Sequence, residues 1–123
     1  MYDKELIQDI LNQIFEATQK VINRFSPIKT KEDFTNSSEG MEKLDSICMQ
    51  LIAIGESLKN IDKITGKKLL NKYGNIDWKG AKGLRDIITH HYFDIDSEEI
   101  YNVCKKHILP LSKTIEKIIS DLK

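Results

Sequence analysis

One apolar rhythm runs through the chain and limits what it can fold into. Leu6, Ile7, Ile10, Leu11, Ile14, Ala17, Val21 and Phe25 recur three or four residues apart, the spacing of one face of an α-helix. The rhythm returns in Leu44, Ile47, Cys48, Leu51, Ile54, Leu58 and Ile61, then in Trp78, Ala81, Leu84, Ile88 and His91. A last stripe holds Ile100, Val103, Cys104, His107, Leu111, Ile115, Ile118 and Leu122. No stretch alternates with a strand's period of two strongly enough to compete. Each stripe must be buried against another, so the chain is all-α: an up-down bundle of four main helices plus a short connecting helix. With 123 residues it forms one domain, 1–123, large enough for a single apolar core.

Punctuation places the ends of these helices. Ser26-Pro27 closes the first, because the residue before proline is pushed away from the α region. Thr30-Lys31-Glu32-Asp33 resembles a cap with an acidic first turn, and Asn36-Ser37-Ser38 and Gly40 then weaken the pattern. The prediction is one long helix with a soft spot, or a short helix followed by a long one. Gly55 interrupts the second stripe where another helix can approach closely; Glu56 beside it reads as a solvated charge. Residues 62–76 form a connector with one short helix, in which Ile64, Leu69, Leu70 and Tyr73 pack. Asp77 caps the next helix. Asp96 with Glu99 forms a capping box that opens the last one, which Pro110 should bend. His107 reads as a satisfied core histidine.

Composition excludes several classes of function. Lys and Arg total 19 and Asp and Glu total 19, so no global basic field exists and any nucleic-acid contact must be local. Apolar runs are too short to span a bilayer, and the charged N-terminus lacks the centre of a signal peptide. Cys48 and Cys104 each lie on an apolar stripe, as reduced core thiols of a cytoplasmic protein do. No phosphate loop, CxxC pair or HExxH occurs, and nothing demands a metal or a cofactor.

The chemistry concentrates in Asp77–Asp96, which holds the only Trp and two of the three His. Arg85, Asp86, His90 and Tyr92 crowd the C-terminal end of its helix. Asp86 and His90 are four apart and share a face, so the carboxylate can hydrogen-bond the imidazole and fix its tautomer. Arg85 and His90 are five apart, roughly 140° around an ideal helix, and converge only if the Arg side chain wraps round. Phe93 and Ile95 can pack and anchor the segment that carries Tyr92. An Arg for phosphate, a His for proton transfer and a nearby phenol suit a phosphodiester site. The competing reading is a structural Arg in ion pairs and a histidine opposing the helix dipole.

The segment from Ile76-Asp77-Trp78 through Leu84-Arg85-Asp86-Ile87-Ile88-Thr89-His90-His91-Tyr92-Phe93-Asp94-Ile95-Asp96 resembles the HEPN superfamily, in its HepT-like toxin branch. That branch carries Arg, four residues, His, any residue, Tyr; here these are Arg85, His90 and Tyr92. Ala53-Ile54-Gly55-Glu56 and Leu109-Pro110-Leu111 are also similar to it. Two positions depart: His91 stands where the family often has Gly, and Asp86 where it often has Asn, adding negative charge where an RNA phosphate would sit. The resemblance implies a HEPN-like helical fold and the toxin of a toxin–antitoxin pair, a metal-independent endoribonuclease. His90 would be the general acid or base, Arg85 would stabilise the transition state and Asp86 would orient His90. A minimal nucleotidyltransferase antitoxin would AMPylate Tyr92. Two chains would form a homodimer whose motifs share one cleft on the RNA. The alternative is a non-catalytic dimeric helical module that binds nucleotide or a nucleotidyltransferase partner. Asp86 and the even charge balance favour it.

Overall fold

The protein, described here by a computed structural model covering residues 2–91 and 93–123, is built from α-helices and two short 3-10 turns. The helices are α1 (Lys4–Phe25), α2 (Ser38–Thr65), α3 (Trp78–His90), α4 (Ser97–Lys106) and α5 (Ile108–Leu122). The turns span Lys31–Phe34 and Leu70–Lys72. Among the described residues there is no strand, and no helix is long and apolar enough to cross a membrane. The helical bundle expected from the periodicity is present.

Side-chain caps start the first four helices. Asp3, Ser37, Asp77 and Asp96 each accept a backbone N–H one turn on, from Leu6, Gly40, Gly80 and Glu99 respectively. These bonds satisfy donors that have no partner inside the helix. Of the two predictions for residues 28–40, the second is correct: a short turn precedes the long α2. Asp33 locks that turn by accepting the N–H groups of Lys29 and Thr30 at 2.8 and 3.1 Å. Gly40 lets the turn lie against α2, since a Cβ there would stand only 1.9 Å from the Asp33 carbonyl oxygen. α2 closes on Gly66, whose φ of 62° is the left-handed cap geometry.

α1 packs on α2 and α5, and α2 packs on α3. The predicted stripes supply the core: Ile7, Leu11, Ile47, Leu51, Ile54, Leu58, Ile61, Ile115 and Ile118 are fully buried. Each such side chain stabilises the fold by about 1.5–3 kcal/mol through burial. A polar bond set ties α1 to α5: Gln19 Nε2 donates to Ser112 Oγ at 2.9 Å, and Thr18 Oγ1 lies 2.8 Å from the same oxygen. Phe34 and Tyr101 flank Phe25 at ring distances of 6.2 and 5.3 Å, seating α4 over the Lys31–Phe34 turn.

Two expectations about the last stripe need correction. The chain does not merely bend at Pro110; it breaks at His107, which separates α4 from α5. Pro110 then falls in the first turn of α5, where its missing N–H costs no internal bond. His107 sits in that break and is exposed rather than buried. Cys48 and Cys104 are free and buried, and burial raises their thiols to about 11 and about 12 respectively.

The connector is fastened to the end of α5. Trp78 Nε1 donates to the Tyr73 carbonyl at 2.8 Å, and the Tyr73 hydroxyl donates to Asp121 Oδ2 at 2.7 Å. Burial, then the Asp121 carboxylate, raises the Tyr73 phenol from 10 to about 12. The unfolded phenol therefore loses its proton first. This contribution to stability is complete below pH 10 and falls as pH rises toward about 12. Urea midpoints measured across that window should drop with pH in the native chain, and less steeply in Tyr73→Phe.

Candidate active site

α3 lies antiparallel to α2, and three ion-pair contacts mark their register. Glu56 Oε2 meets Arg85 Nε at 3.4 Å, Lys59 Nζ meets Asp86 Oδ2 at 3.2 Å, and Asp62 is bonded to Lys82. Gly55 sets the spacing: a Cβ there would lie 3.2 Å from the carbonyl oxygens of Ala81 and Lys82 and 3.3 Å from the Arg85 nitrogen. The close approach predicted for Gly55 is thus made by α3, at the turn that presents Arg85. In Gly55→Ala the gain in helix propensity is about 1 kcal/mol. Overpacking against rigid backbone costs about 1–3 kcal/mol. The expected outcome is a net loss of about 1 kcal/mol in chemical denaturation, with Arg85 displaced from Glu56.

Arg85 is held on two sides. Its Nε faces Glu56, and its Nη1 donates to Asp86 Oδ1 at 3.1 Å. The side chain therefore wraps toward Asp86, the direction the helical angle required. Asp86 carries a cation on each oxygen, Lys59 and Arg85, and these contacts hold its carboxyl below the ordinary range, Lys59 first. The expected Asp86–His90 hydrogen bond is replaced by this arrangement, because Lys59 of α2 reaches the carboxylate first.

His90 is the last residue of α3 and is exposed, as is His91, which caps the helix by donating its N–H to the Ile88 carbonyl at 3.3 Å. His91 accordingly leaves the apolar stripe on which the sequence placed it. Tyr92 lies outside the described residues. Phe93 is 98% exposed and Ile95 is half-buried. Among the described residues no cluster of His, Cys, Asp and Glu could hold a metal ion.

The opposite flank of α3 is open. A groove of about 460 Å³ runs between α3 and the α4–α5 break, lined by Ala81, Leu84, Ile87, Val103, His107 and Leu111 among others. Ile87 at its rim is 41% exposed. His90 follows Ile87 by three residues, so it stands between the ion-pair side of α3 and this groove.

Glu56, Lys59, Asp62 and Lys82 were not singled out as site residues. A signal for them exists in the sequence: Glu56, Lys59 and Asp62 recur three apart with alternating sign, and Lys82, Arg85 and Asp86 answer them with opposite charges. Two helices so patterned can pair along their length.

A sequence profile described as Ribonuclease HepT-like matches residues 7–118. Among curated proteins, Putative RNase MJ0127 of Methanocaldococcus jannaschii is 30% identical over 119 residues, 97% of this chain and 92% of that protein. Putative RNase MJ1216 of the same organism is 31% identical over 119 residues, with the same 97% and 92% coverage. The chain also matches, at 32% identity, 47% of the protein of that organism named Gamma-glutamylcyclotransferase and putative RNase MJ0434. No solved structure matches the chain significantly.

Proposed function

The chain belongs to the ribonuclease HepT-like family, and from that premise we propose that it is a metal-independent endoribonuclease and the toxin of a toxin–antitoxin pair. Arg85 and His90 are its catalytic residues, and Tyr92 is the residue that a minimal nucleotidyltransferase antitoxin modifies with AMP. The observation that carries the reading is an exposed Arg–His pair at the end of α3, with the guanidinium wrapped toward the His90 side of the helix.

RNA supplies its own nucleophile. His90 takes the proton of the 2′-hydroxyl, the O2′–P bond forms and the P–O5′ bond breaks. Arg85 stabilises the charge that builds on the phosphoryl oxygens. A second imidazole returns a proton to the departing 5′-oxygen, and pairing two chains across α3 supplies it. The open apolar groove with Ile87 at its rim supports such a pairing, since it borders His90 on the side away from α2. The substrate contact is local, in keeping with a formal net charge of +0.

AMP on Tyr92 would place a phosphate and a nucleoside near Arg85 and exclude RNA by bulk and repulsion. Two other tyrosines are engaged structurally: the Tyr73 hydroxyl donates to Asp121 and the Tyr101 hydroxyl to the Lys29 carbonyl. Incubation with the nucleotidyltransferase and ATP should therefore add AMP masses that peptide mapping assigns to Tyr92. Tyr92→Phe should stay toxic and escape neutralisation by modification. An adduct on Tyr73 or Tyr101 with Tyr92 unmodified would overturn the assignment. The non-catalytic dimeric module is favoured by the Asp86 carboxylate lying on Arg85. It predicts binding without cleavage.

A further inference from the structure

Lys59 lies on α2, outside the Arg–His–Tyr motif, yet it shares an anion with Arg85. Its Nζ is 3.2 Å from one oxygen of Asp86, and Arg85 Nη1 is 3.1 Å from the other. Two cations from two helices thus grip one singly charged group with two oxygens. An RNA phosphodiester is also singly charged and offers two non-bridging oxygens, the geometry that charged donors bracket well. Resting on the ribonuclease reading above, we propose that Lys59 is a second phosphate-binding cation of the site, and that Asp86 occupies the place an RNA phosphate takes between Lys59 and Arg85.

Three observations support the exchange. The side chains of Lys59, Arg85 and Asp86 are 39, 45 and 46% exposed, so their ion pairs are screened by water and are readily traded for another anion. Glu56 lies 3.4 Å from Arg85 Nε, so the guanidinium keeps one carboxylate contact when Nη1 is released by Asp86. The position also suits the reaction. Asp86 precedes His90 by four residues, so a phosphate in its place lies on the helix face that carries the imidazole. With Asp86 engaged, Glu56, Lys59, Arg85 and Asp86 sum to zero charge; with Asp86 turned out to solvent, two cations face the phosphate. The arrangement admits an anion strong enough to displace a carboxylate and discourages weaker ones.

The test uses the full chain carrying His90→Ala, which binds RNA without cutting it, and a fluorescent single-stranded RNA followed by anisotropy over a range of salt. Adding Lys59→Met should weaken binding about fivefold, the size of one exposed ionic contact. It should lower the log–log salt slope by about 0.7, as expected when one phosphate contact on a single strand is lost. Lys59→Arg should keep both. Asp86→Asn should tighten binding about fivefold, because the competing anion is gone. Unchanged affinity and slope in Lys59→Met, or weaker binding in Asp86→Asn, would overturn the assignment of Lys59 while RNA binding by the background stands. No RNA binding by the His90→Ala background would overturn the ribonuclease reading itself, and Lys59 with it.

Discussion

His90→Ala should cut RNA cleavage by about 10²–10⁴-fold, the usual contribution of a positioned proton-transfer group. The fold should survive, because His90 ends α3, is exposed, and carries no packing that the core needs. Arg85→Ala should lose about 10²–10³-fold, the scale of removing one transition-state charge stabiliser. It also takes the cation from Glu56 and one of the two from Asp86, which keeps Lys59. Arg85→Lys should recover little, since a point charge cannot span Nε to Glu56 and Nη1 to the phosphate at once. Rates on a labelled RNA, paired with helicity by circular dichroism, check all three variants. Full activity in a folded His90→Ala protein would remove His90 from the mechanism.

The second large effect is on stability. Asp62 is 7% exposed, bonded through Oδ2 to Lys82, and its Oδ1 has no hydrogen-bond partner. Lys82→Met strands that carboxylate between α2 and α3. Breaking a buried pair by removing one partner costs about 3–5 kcal/mol; because Lys82 keeps some solvent contact, about 3 kcal/mol is expected here, roughly 10 °C in Tm. Replacing both partners with apolar residues, Asp62→Leu with Lys82→Met, should recover most of the loss. A thermal melt of the single and double variants measures the difference. Equal melting of Lys82→Met and the native chain would show that the pair contributes nothing to α2–α3 packing.

The fold was legible because each stripe declared one buried face, and Asp77 and Asp96 declared where α3 and α4 begin. Gly55 was read correctly for the same local reason: a helix position without a side chain invites a neighbour. What depended on the third dimension was missed. Glu56 is the exposed charge the sequence indicates, but its neighbour Arg85 emerges only when α3 is laid against α2. The partner of Asp86 could not come from helix spacing, which knows only residues four apart on one helix, whereas Lys59 arrives from another. His107 and His91 fit the apolar rhythm by position, but each stands where its helix ends, and the rhythm stops predicting burial once the chain turns. Arg85 and His90 stand out in the sequence by their chemistry and by the motif they complete.

The central claim, that Arg85 and His90 cleave RNA through its own 2′-hydroxyl, is tested most directly by the chemistry of the product ends. A defined RNA is incubated with the purified chain in excess EDTA, and the fragments are analysed by mass. The account predicts cleavage undiminished by EDTA, with 2′,3′-cyclic phosphate on one fragment and a 5′-hydroxyl on the other, and no such products from His90→Ala. Products bearing 3′-hydroxyl and 5′-phosphate ends, or cleavage that EDTA abolishes, would contradict it.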